Sequence, residues 1–187
     1  MTIRIETPRL HLRSLSADDL GDFTTLHANP QSMVDYGRPD TLEQATAKLL
    51  GYLNCQVTHG VSRLHVSDST GFIGCAGVFC HADKGPIGPH AEVGWRLLPQ
   101  AWGKGYASEA ARAALIHAFR VTRLTEILSY TAPDNLRSQA VMARLGLTRD
   151  ATRDFSFVNA DVGLWRGMVW LARRSDWTDQ AGLGGIE

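Results

Sequence analysis

A short stretch at residues 100–110, with the sequence QAWGKGYASEA, has a composition suited to binding an anion. Gly103 and Gly105 flank Lys104, and a helix is predicted to begin directly after them, near Tyr106 to Ser108. Glycine lets the backbone approach a ligand closely, so successive amides of such a loop can point at one spot. The positive end of a helix dipole adds to their effect. The stretch therefore predicts a pyrophosphate site, with Lys104 adding charge; the alternative is a tight turn that needs glycine for steric reasons alone.

Two widespread phosphate-binding motifs fit this stretch less well. A Walker loop requires G-x-x-x-x-G-K-[ST], which the residues after Gly103 do not provide. The Rossmann pattern G-x-G-x-x-G is met at Gly103 and Gly105, but Ser108 occupies the position of the third glycine. Glu126 follows Gly103 at about the distance at which the Rossmann pattern has its ribose-binding acid. However, Glu126 is predicted at the start of its strand, whereas that acid should lie at the end. These departures disfavour a dinucleotide-binding domain.

The glycine stretch is predicted to join a strand, Ala91 to Leu97, to a helix. After the glycines, small and apolar residues recur at the spacing i, i+3, i+4 and i+7, which indicates a helix that packs closely on a sheet. This stripe consists of Ala107, Ala110, Ala111, Ala114, Leu115, Ala118 and Phe119. Glu126 to Thr131 is the next predicted strand, so the three elements form one crossover unit.

The remaining predicted elements surround this crossover. Helices are expected from Ser16 toward His27, from Thr41 to Cys55, and from a cap at Asp134-Asn135 to Leu145-Gly146. The other strands are expected at Ile3 to Leu15 with a break at Thr7-Pro8, Arg63 to Ser67, Phe72 to Cys80, Thr152 to Phe157, and Leu164 to Ala172. A mostly antiparallel set of strands with one crossover indicates a mixed α/β fold of the α+β type.

The composition is that of an ordinary globular domain without a strong overall charge. The chain has 187 residues, of which 44% are hydrophobic, and 19 basic side chains balance 19 acidic ones. Nothing here indicates a nucleic-acid partner, and no apolar run is long enough to span a bilayer. Three cysteines without a C-x-x-C pair, and a start without a signal-peptide core, favour the cytoplasm. We expect one domain over residues 1–178 and a flexible tail over residues 179–187.

The pattern Gln100-x-x-Gly103-x-Gly105 resembles the Q/R-x-x-G-x-G/A signature of the GNAT superfamily of N-acetyltransferases. Further segments resemble the branch that contains the ribosomal-protein-alanine N-terminal acetyltransferases. These segments are Thr7 to Arg13, Asn135 to Ser138, Arg144 to Leu147 and Ser175 to Trp177, while Glu92 to Leu97, just upstream of the loop, strengthens the superfamily signature. The resemblance covers nearly the whole chain and implies the GNAT fold. That fold has a mixed, mostly antiparallel central sheet, a splayed pair formed by the family's fourth and fifth strands, and flanking helices.

The resemblance implies acetyl-CoA as the co-substrate and no metal. Its pyrophosphate would bind the loop formed by Gln100, Gly103, Lys104, Gly105, Tyr106 and Ala107, with a hydroxyl from Ser108. Its pantetheine arm would run along Trp95, Arg96 and Leu97, and an amide of Trp95 or Arg96 would stabilise charge on the thioester oxygen. A bulge near Gly94-Trp95 is expected to open the sheet there. Asn135 would bind pantetheine, and Arg144 would reach the adenosine end.

Acetyl transfer to an amine requires a group that takes the amine's proton and a group that protonates the thiolate. Glu92 is the candidate base, although a glutamate at the end of a strand can equally be solvated or paired with an arginine. Many family members carry a tyrosine seven residues after the asparagine, where this chain has Met142. The branch resembled here carries a serine matching Ser138, which would act at the sulfur or only cap its helix. We expect direct transfer, because neither Cys75 nor Cys80 has a visible His-Asp pairing.

The acceptor is less well defined by the sequence. Tyr36, Phe155 and Trp165 are candidate walls of an acceptor pocket, although each could be ordinary packing. His81 and His90 could face each other across a loop near this pocket, without favouring a zinc site. The acceptor would be a protein or peptide N-terminus or a small amine, and the protein a monomer or homodimer. The alternative is a non-catalytic domain that binds CoA as a sensor or an assembly subunit.

Overall fold

The computed structural model describes residues 2–82, 85–159 and 163–178, without the side chains of Tyr36, Asn159 and Thr178. The predicted tail at residues 179–187 lies outside this part of the chain. The described strands are β1 (Arg4–Glu6), β2 (His11–Ser14), β3 (Arg63–Asp68), β4 (Gly71–His81), β5 (His90–Leu97), β6 (Glu126–Thr131), β7 (Thr148–Arg149), β8 (Phe155–Asn159) and β9 (Gly163–Arg173). The described helices are α1 (Leu20–Ala28), α2 (Leu42–His59), α3 (Tyr106–Val121), α4 (Leu136–Leu145) and α5 (Ser175–Thr178).

The strands form one mixed sheet in the order β1-β2-β3-β4-β5-β6-β9-β7, and β8 pairs with β9. All described pairs are antiparallel except β5 with β6, which are parallel and joined through α3. The predicted α+β fold with a single strand-helix-strand crossover is therefore confirmed. Among the described helices, none combines the length and the apolar character that crossing a membrane would require.

Local sequence signals predicted most helices and strands correctly, and the exceptions lie near the two ends of the chain. The predicted strand from Ile3 to Leu15 is instead the hairpin of β1 and β2, because the break at Thr7-Pro8 is a turn in which the Thr7 amide donates to the Leu10 carbonyl at 2.9 Å. The strand predicted from Thr152 begins only at Phe155. The carboxylate of Asp150 accepts a hydrogen bond from the Thr152 amide at 3.1 Å, and this holds the preceding segment in a short 3-10 turn.

Helix α3 covers one face of the sheet beside β4 and β5. The predicted stripe is confirmed, since its residues are buried except for Ala107, which is half-buried. Small side chains let the helix lie close to the strands beneath it. The same core receives Val78 from β4, Val93 from β5 and Met142 from α4. Helices α1 and α2 pack together over a second cluster, which includes Phe23 and Leu49.

The backbone around Arg63 on β3 leaves no room for a side chain at Gly77 on β4. A Cβ atom at this position would lie 2.1 Å from the carbonyl oxygen of Ser62 and 2.8 Å from the Cα of Arg63. Both neighbours are backbone atoms, so they could move away only if β3 itself shifted. Gly77 therefore sets the spacing of the two strands, and it does so beside Arg63, whose role in the site is described below.

Replacing Gly77 by alanine should lower the free energy of unfolding by about 3 kcal/mol, because an inserted methyl group that must displace backbone is strongly destabilising. Gly51→Ala in α2 is the matched control. A Cβ atom there meets nothing within 4 Å, so the substitution should stabilise the protein by about 0.5 to 1 kcal/mol. Urea unfolding of the three proteins measures both effects. Equal stabilities for the two variants would contradict the close approach at Gly77.

Candidate active site

The sheet opens between its two parallel strands. On one side, β5 pairs with β4 in an unbroken register from Gly74↔Leu97 to His81↔His90. On the other side, β5 pairs with β6 only at Glu92↔Leu128, so Trp95 and Arg96 face a gap. The family's fourth and fifth strands correspond here to β5 and β6, so the predicted splayed pair is confirmed. A cleft of about 310 Å³ occupies this region, and its lining includes Glu92, Trp95, Arg96, Asn135 and Ser138.

The bulge predicted near Gly94-Trp95 is wrong, because the register of β5 with β4 has no shift. The absence of a side chain at Gly94 has a different consequence. A Cβ atom at Gly94 would lie 2.5 Å from Nη2 of Arg63 and 2.9 Å from its Cζ. The missing side chain thus leaves room for a guanidinium that comes from β3 and crosses over β4 to β5. The shift that the sheet does contain lies at Val66/Ser67 in β3.

Glu92 is held at the start of the gap by Arg63 and His81. Its carboxylate Oε2 lies 2.9 Å from Nη2 of Arg63 and 3.0 Å from Nε2 of His81, and its side chain is only 14% exposed. Arg63 also donates through Nη1 to the backbone carbonyls of Gly77 and Glu92. Burial alone would raise the pKa of Glu92. The charge of Arg63, the hydrogen bond and charge of His81, and the charge of His90 outweigh burial and hold that pKa below its usual range.

The sequence suggested that His81 and His90 could meet, and they do. They are directly paired across β4 and β5, and their rings stack with centroids 4.5 Å apart. His90 Nδ1 lies 2.7 Å from the carbonyl oxygen of Gly88. Sequence reasoning missed both the contact of His81 with Glu92 and the part played by Arg63. These residues come from different strands, and only the register brings them together.

The glycine stretch lies at the N-terminus of α3, as predicted. Gly103 and Gly105 have φ angles of 75° and 81°, in the left-handed region that favours glycine. Gly105 occupies the N-cap position of α3 without a side-chain cap, so the first amides of the helix are left for another partner. In the same turn, Oγ of Ser108 is buried and has no hydrogen-bond partner among the described residues. A buried hydroxyl beside uncapped amides fits the phosphate groups of acetyl-CoA.

A contact between the chain's first hairpin and α3 fixes the far side of this loop. Glu109 accepts hydrogen bonds from the Thr7 hydroxyl at 2.7 Å and from Nε of Arg9 at 2.7 Å. Arg9 also donates to the carbonyl oxygen of Lys104 at 2.8 Å and lies over the ring of Tyr106 at 4.9 Å. The loop is thereby tied to β1 and β2. No local sequence signal could have indicated this contact, because the partners are about 100 residues apart.

Asn135 and Ser138 meet at the start of α4, on the opposite side of the gap. The side-chain oxygen of Asn135 caps α4 by accepting from the Ser138 amide at 3.1 Å, and its Nδ2 donates to Oδ2 of Asp35 at 2.9 Å. Burial raises the pKa of Asp35. The hydroxyl of Ser138 has no hydrogen-bond partner in the part of the chain that the structure describes. Met142, which stands where many relatives carry a tyrosine, is buried in the core.

The other predicted donor-site residues are not part of the cleft lining. Leu97 is buried and accepts a hydrogen bond from the Trp102 indole at 2.9 Å through its carbonyl oxygen. Gln100 and Lys104 are exposed beside the glycine loop. Arg144 is exposed in the last turn of α4, outside the lining of the cleft. Trp95, Arg96, Asn135 and Ser138 thus line one cleft, whereas Leu97, the loop from Gln100 to Ser108 and Arg144 lie outside its lining.

Aromatic side chains line the wall of the cleft near Glu92. Phe155 and Trp165, two of the predicted acceptor residues, have ring centroids 5.6 Å apart. Tyr130 of β6 packs edge-on against Phe155, with centroids 5.2 Å apart, and Phe157 adds a further ring beside Trp165. The backbone of Tyr36 ends a short 3-10 turn, but its side chain lies outside the described part of the structure.

The chain is similar to several known proteins. A family model described as an acetyltransferase (GNAT) domain matches residues 9–148. A protein of Aspergillus fumigatus named FsC-acetyl coenzyme A-N(2)-transacetylase is 32% identical, and the match covers 95% of this chain and 80% of that protein. The crystal structure of an acetyltransferase from Agrobacterium tumefaciens strain C58 is 29% identical, with a TM-score of 0.75 over 91% of this chain and 94% of that chain.

A more distant structure has the same fold. It is a ribosomal L7/L12 alpha-N-protein acetyltransferase in complex with coenzyme A, which is 13% identical to this chain. Its TM-score is 0.71, over 91% of this chain and 98% of that chain. At this identity, the likeness concerns the fold alone. It agrees with the predicted arrangement of the sheet and its flanking helices.

Replacing Arg63 by methionine should lower the free energy of unfolding at neutral pH by about 3 to 5 kcal/mol, because it leaves the buried carboxylate of Glu92 without its cation. The pH dependence of the free energy of unfolding should also reverse. In the wild type, the lowered pKa means that Glu92 stabilises the fold at neutral pH and loses this effect as the pH falls through the folded-state pKa. In Arg63→Met, burial raises the pKa of Glu92, so protonation on acidification recovers stability.

Urea unfolding at neutral and at mildly acidic pH measures both effects. Arg4→Met is the control, because Arg4 is exposed in β1, and its loss should change stability by less than about 0.5 kcal/mol. If Arg63→Met behaved like this control at both pH values, the ion pair would not have the role assigned to it.

Proposed function

Because the chain belongs to the GNAT acetyltransferase family, we propose that it transfers an acetyl group from acetyl-CoA directly to a primary amine within a ternary complex. The observation that carries this proposal is the opening between β5 and β6. Residues 98–105 join the open end of β5 to the uncapped N-terminus of α3, and Glu92 lies at the other end of the gap. A donor held at the helix can therefore extend along β5 toward an acceptor beside Glu92.

The donor is proposed to bind mainly through backbone groups. The amides between Gly103 and Ser108 would hold the pyrophosphate, because they are uncapped and lie at the positive end of α3. The free edge of β5 from Trp95 to Leu97 would pair with the pantetheine arm as a strand would. An amide of Trp95 or Arg96 would then stabilise negative charge on the thioester oxygen during transfer.

Three side chains have proposed roles around the reacting atoms. Glu92 assists the removal of the amine's proton through its carboxylate, and the lowered pKa of Glu92 keeps that carboxylate ionised at neutral pH. Ser138 lines the cleft with a hydroxyl that has no partner in the described structure, so it can donate to the leaving thiolate. Asn135 would bind pantetheine after exchanging its contact with Asp35 for one with the donor.

The acceptor is proposed to bind against the aromatic wall formed by Tyr130, Phe155, Phe157 and Trp165. Both acceptor classes fit a cleft that is walled by rings and ends at Glu92: a small amine, or a peptide N-terminus whose first side chain packs on those rings. The relative from Aspergillus fumigatus has an N(2) position in its name, and this favours a nitrogen acceptor. The acetyltransferase domain is proposed to span residues 1–178 and to act as a monomer or homodimer.

Gly103→Ala should weaken acetyl-CoA binding by at least about 10-fold, because alanine is strained at a positive φ and the loop would turn its amides away. Gly60→Ala is a matched control. Gly60 has a φ of 72° at the end of α2, and a Cβ atom meets nothing within 4 Å at either glycine. Both variants should lose a similar amount of stability, about 1 kcal/mol. Isothermal titration calorimetry with acetyl-CoA then separates them, and equal affinities would exclude this loop as the pyrophosphate site.

A further inference from the structure

One oxygen of the Glu92 carboxylate is already occupied and the group is largely buried, which limits its access to the acceptor. Its Oε2 already contacts two side chains, Arg63 at 2.9 Å and His81 at 3.0 Å, and its side chain is largely buried. Arg63 is in turn fixed by the backbone carbonyls of two strands, so it cannot readily leave the carboxylate. An incoming amine would have to displace one of these contacts before it reached that oxygen.

His81 does not have this restriction. It lines the cleft, its side chain is 25% exposed, and one of its ring nitrogens, Nε2, faces the carboxylate of Glu92. A carboxylate only accepts hydrogen bonds, so Nε2 must carry the proton, and Nδ1 keeps its lone pair in the neutral ring. Nδ1 of His81 has no hydrogen-bond partner among the described residues.

Resting on the acetyl transfer proposed above, we propose that His81 is the base that takes the proton of the acceptor amine, and that Glu92 is the positioning residue that holds its ring and tautomer. This arrangement divides the work between two groups. The carboxylate is buried, ionised and fixed, whereas the imidazole is in the cleft and can change its charge. A histidine oriented by a buried carboxylate is an effective general base.

The groups that face His81 come from three neighbouring elements. Glu92 and His90 lie on β5, Arg63 lies on β3, and Cys55 lies on α2, close enough for His81 to influence the pKa of its thiol. Glu92 favours the imidazolium that forms when His81 accepts a proton. Arg63 opposes that charge, but it also keeps Glu92 ionised.

The proposed step conserves atoms and charge. Nδ1 of His81 accepts a proton from the ammonium form of the acceptor. The nitrogen lone pair forms the C–N bond to the acetyl carbon while the C–S bond breaks, and that electron pair leaves with the sulfur. The second proton of the amine passes to the sulfur, with the Ser138 hydroxyl as the proposed route, and His81 releases its proton to solvent. One ammonium ion and one thioester thus give one amide, one thiol and one proton.

The test compares His81→Ala and His81→Gln with Glu92→Gln, using His11→Gln as the control, because His11 is exposed on β2. His81→Ala should lower kcat at neutral pH by about 100-fold or more, which is the usual contribution of a general base. Its affinity for acetyl-CoA should stay within about 2-fold of wild type, since His81 lies outside the proposed donor-binding residues. Added imidazole should restore part of the activity of His81→Ala, an effect that a purely structural role would not produce.

Glu92→Gln should lose less activity than His81→Ala, and the acidic limb of its kcat/KM profile should move to lower pH, because the imidazolium loses its carboxylate partner. The opposite pattern would overturn the proposal: near wild-type kcat in both His81 variants, with activity abolished in Glu92→Gln and no response to imidazole. If the folded wild type bound acetyl-CoA but acetylated no amine, the transfer itself would be refuted, and with it the role of His81. His11→Gln should match the wild type in every measurement.

Discussion

The arrangement of the site depends on the contacts of one buried side chain, the guanidinium of Arg63. Arg63 starts on β3, donates to the carbonyl oxygen of Gly77 on β4, and ends against both the backbone and the carboxylate of Glu92 on β5. A buried cation must be paired and hydrogen-bonded if the fold is to tolerate it. The missing side chain at Gly94 leaves room for the guanidinium, which a Cβ atom there would displace. The same interaction therefore fixes three strands and the acid of the cleft.

The opening of the sheet begins at the residue that this contact fixes. Glu92 is the one residue of β5 that the structure pairs with β6, and from there the two parallel strands diverge toward the N-termini of α3 and α4. Strand edges that face a gap leave amides and carbonyls without partners, and such groups are costly unless a ligand or water satisfies them. An extended ligand with its own amides, such as a pantetheine arm, suits this edge. The ion pair and the donor site are thus parts of one arrangement.

The features that the sequence predicted correctly are those that local patterns encode. The glycines at 103 and 105, the small-residue stripe of α3 and the Asn135 cap each depend on residues only a few positions apart. Arg63, His81 and the Glu109 contact with Arg9 could not be predicted, because each depends on strand register or on packing between distant segments. For the same reason, Gly94 was correctly identified as unusual but wrongly explained by a bulge. Its neighbour across the sheet is visible only in the fold.

The most direct test of the proposed function measures free-thiol release from acetyl-CoA together with the acetylated product, identified by mass spectrometry. The acceptors are a panel of small amines and of short peptides that differ in their first residue. The proposed function predicts turnover that requires an amine, with one thiol released for each N-acetyl group formed. It would be contradicted if acetyl-CoA bound tightly and no amine in the panel raised thiol release above the rate measured without an acceptor. In that case, the chain would bind CoA as a sensor or an assembly subunit.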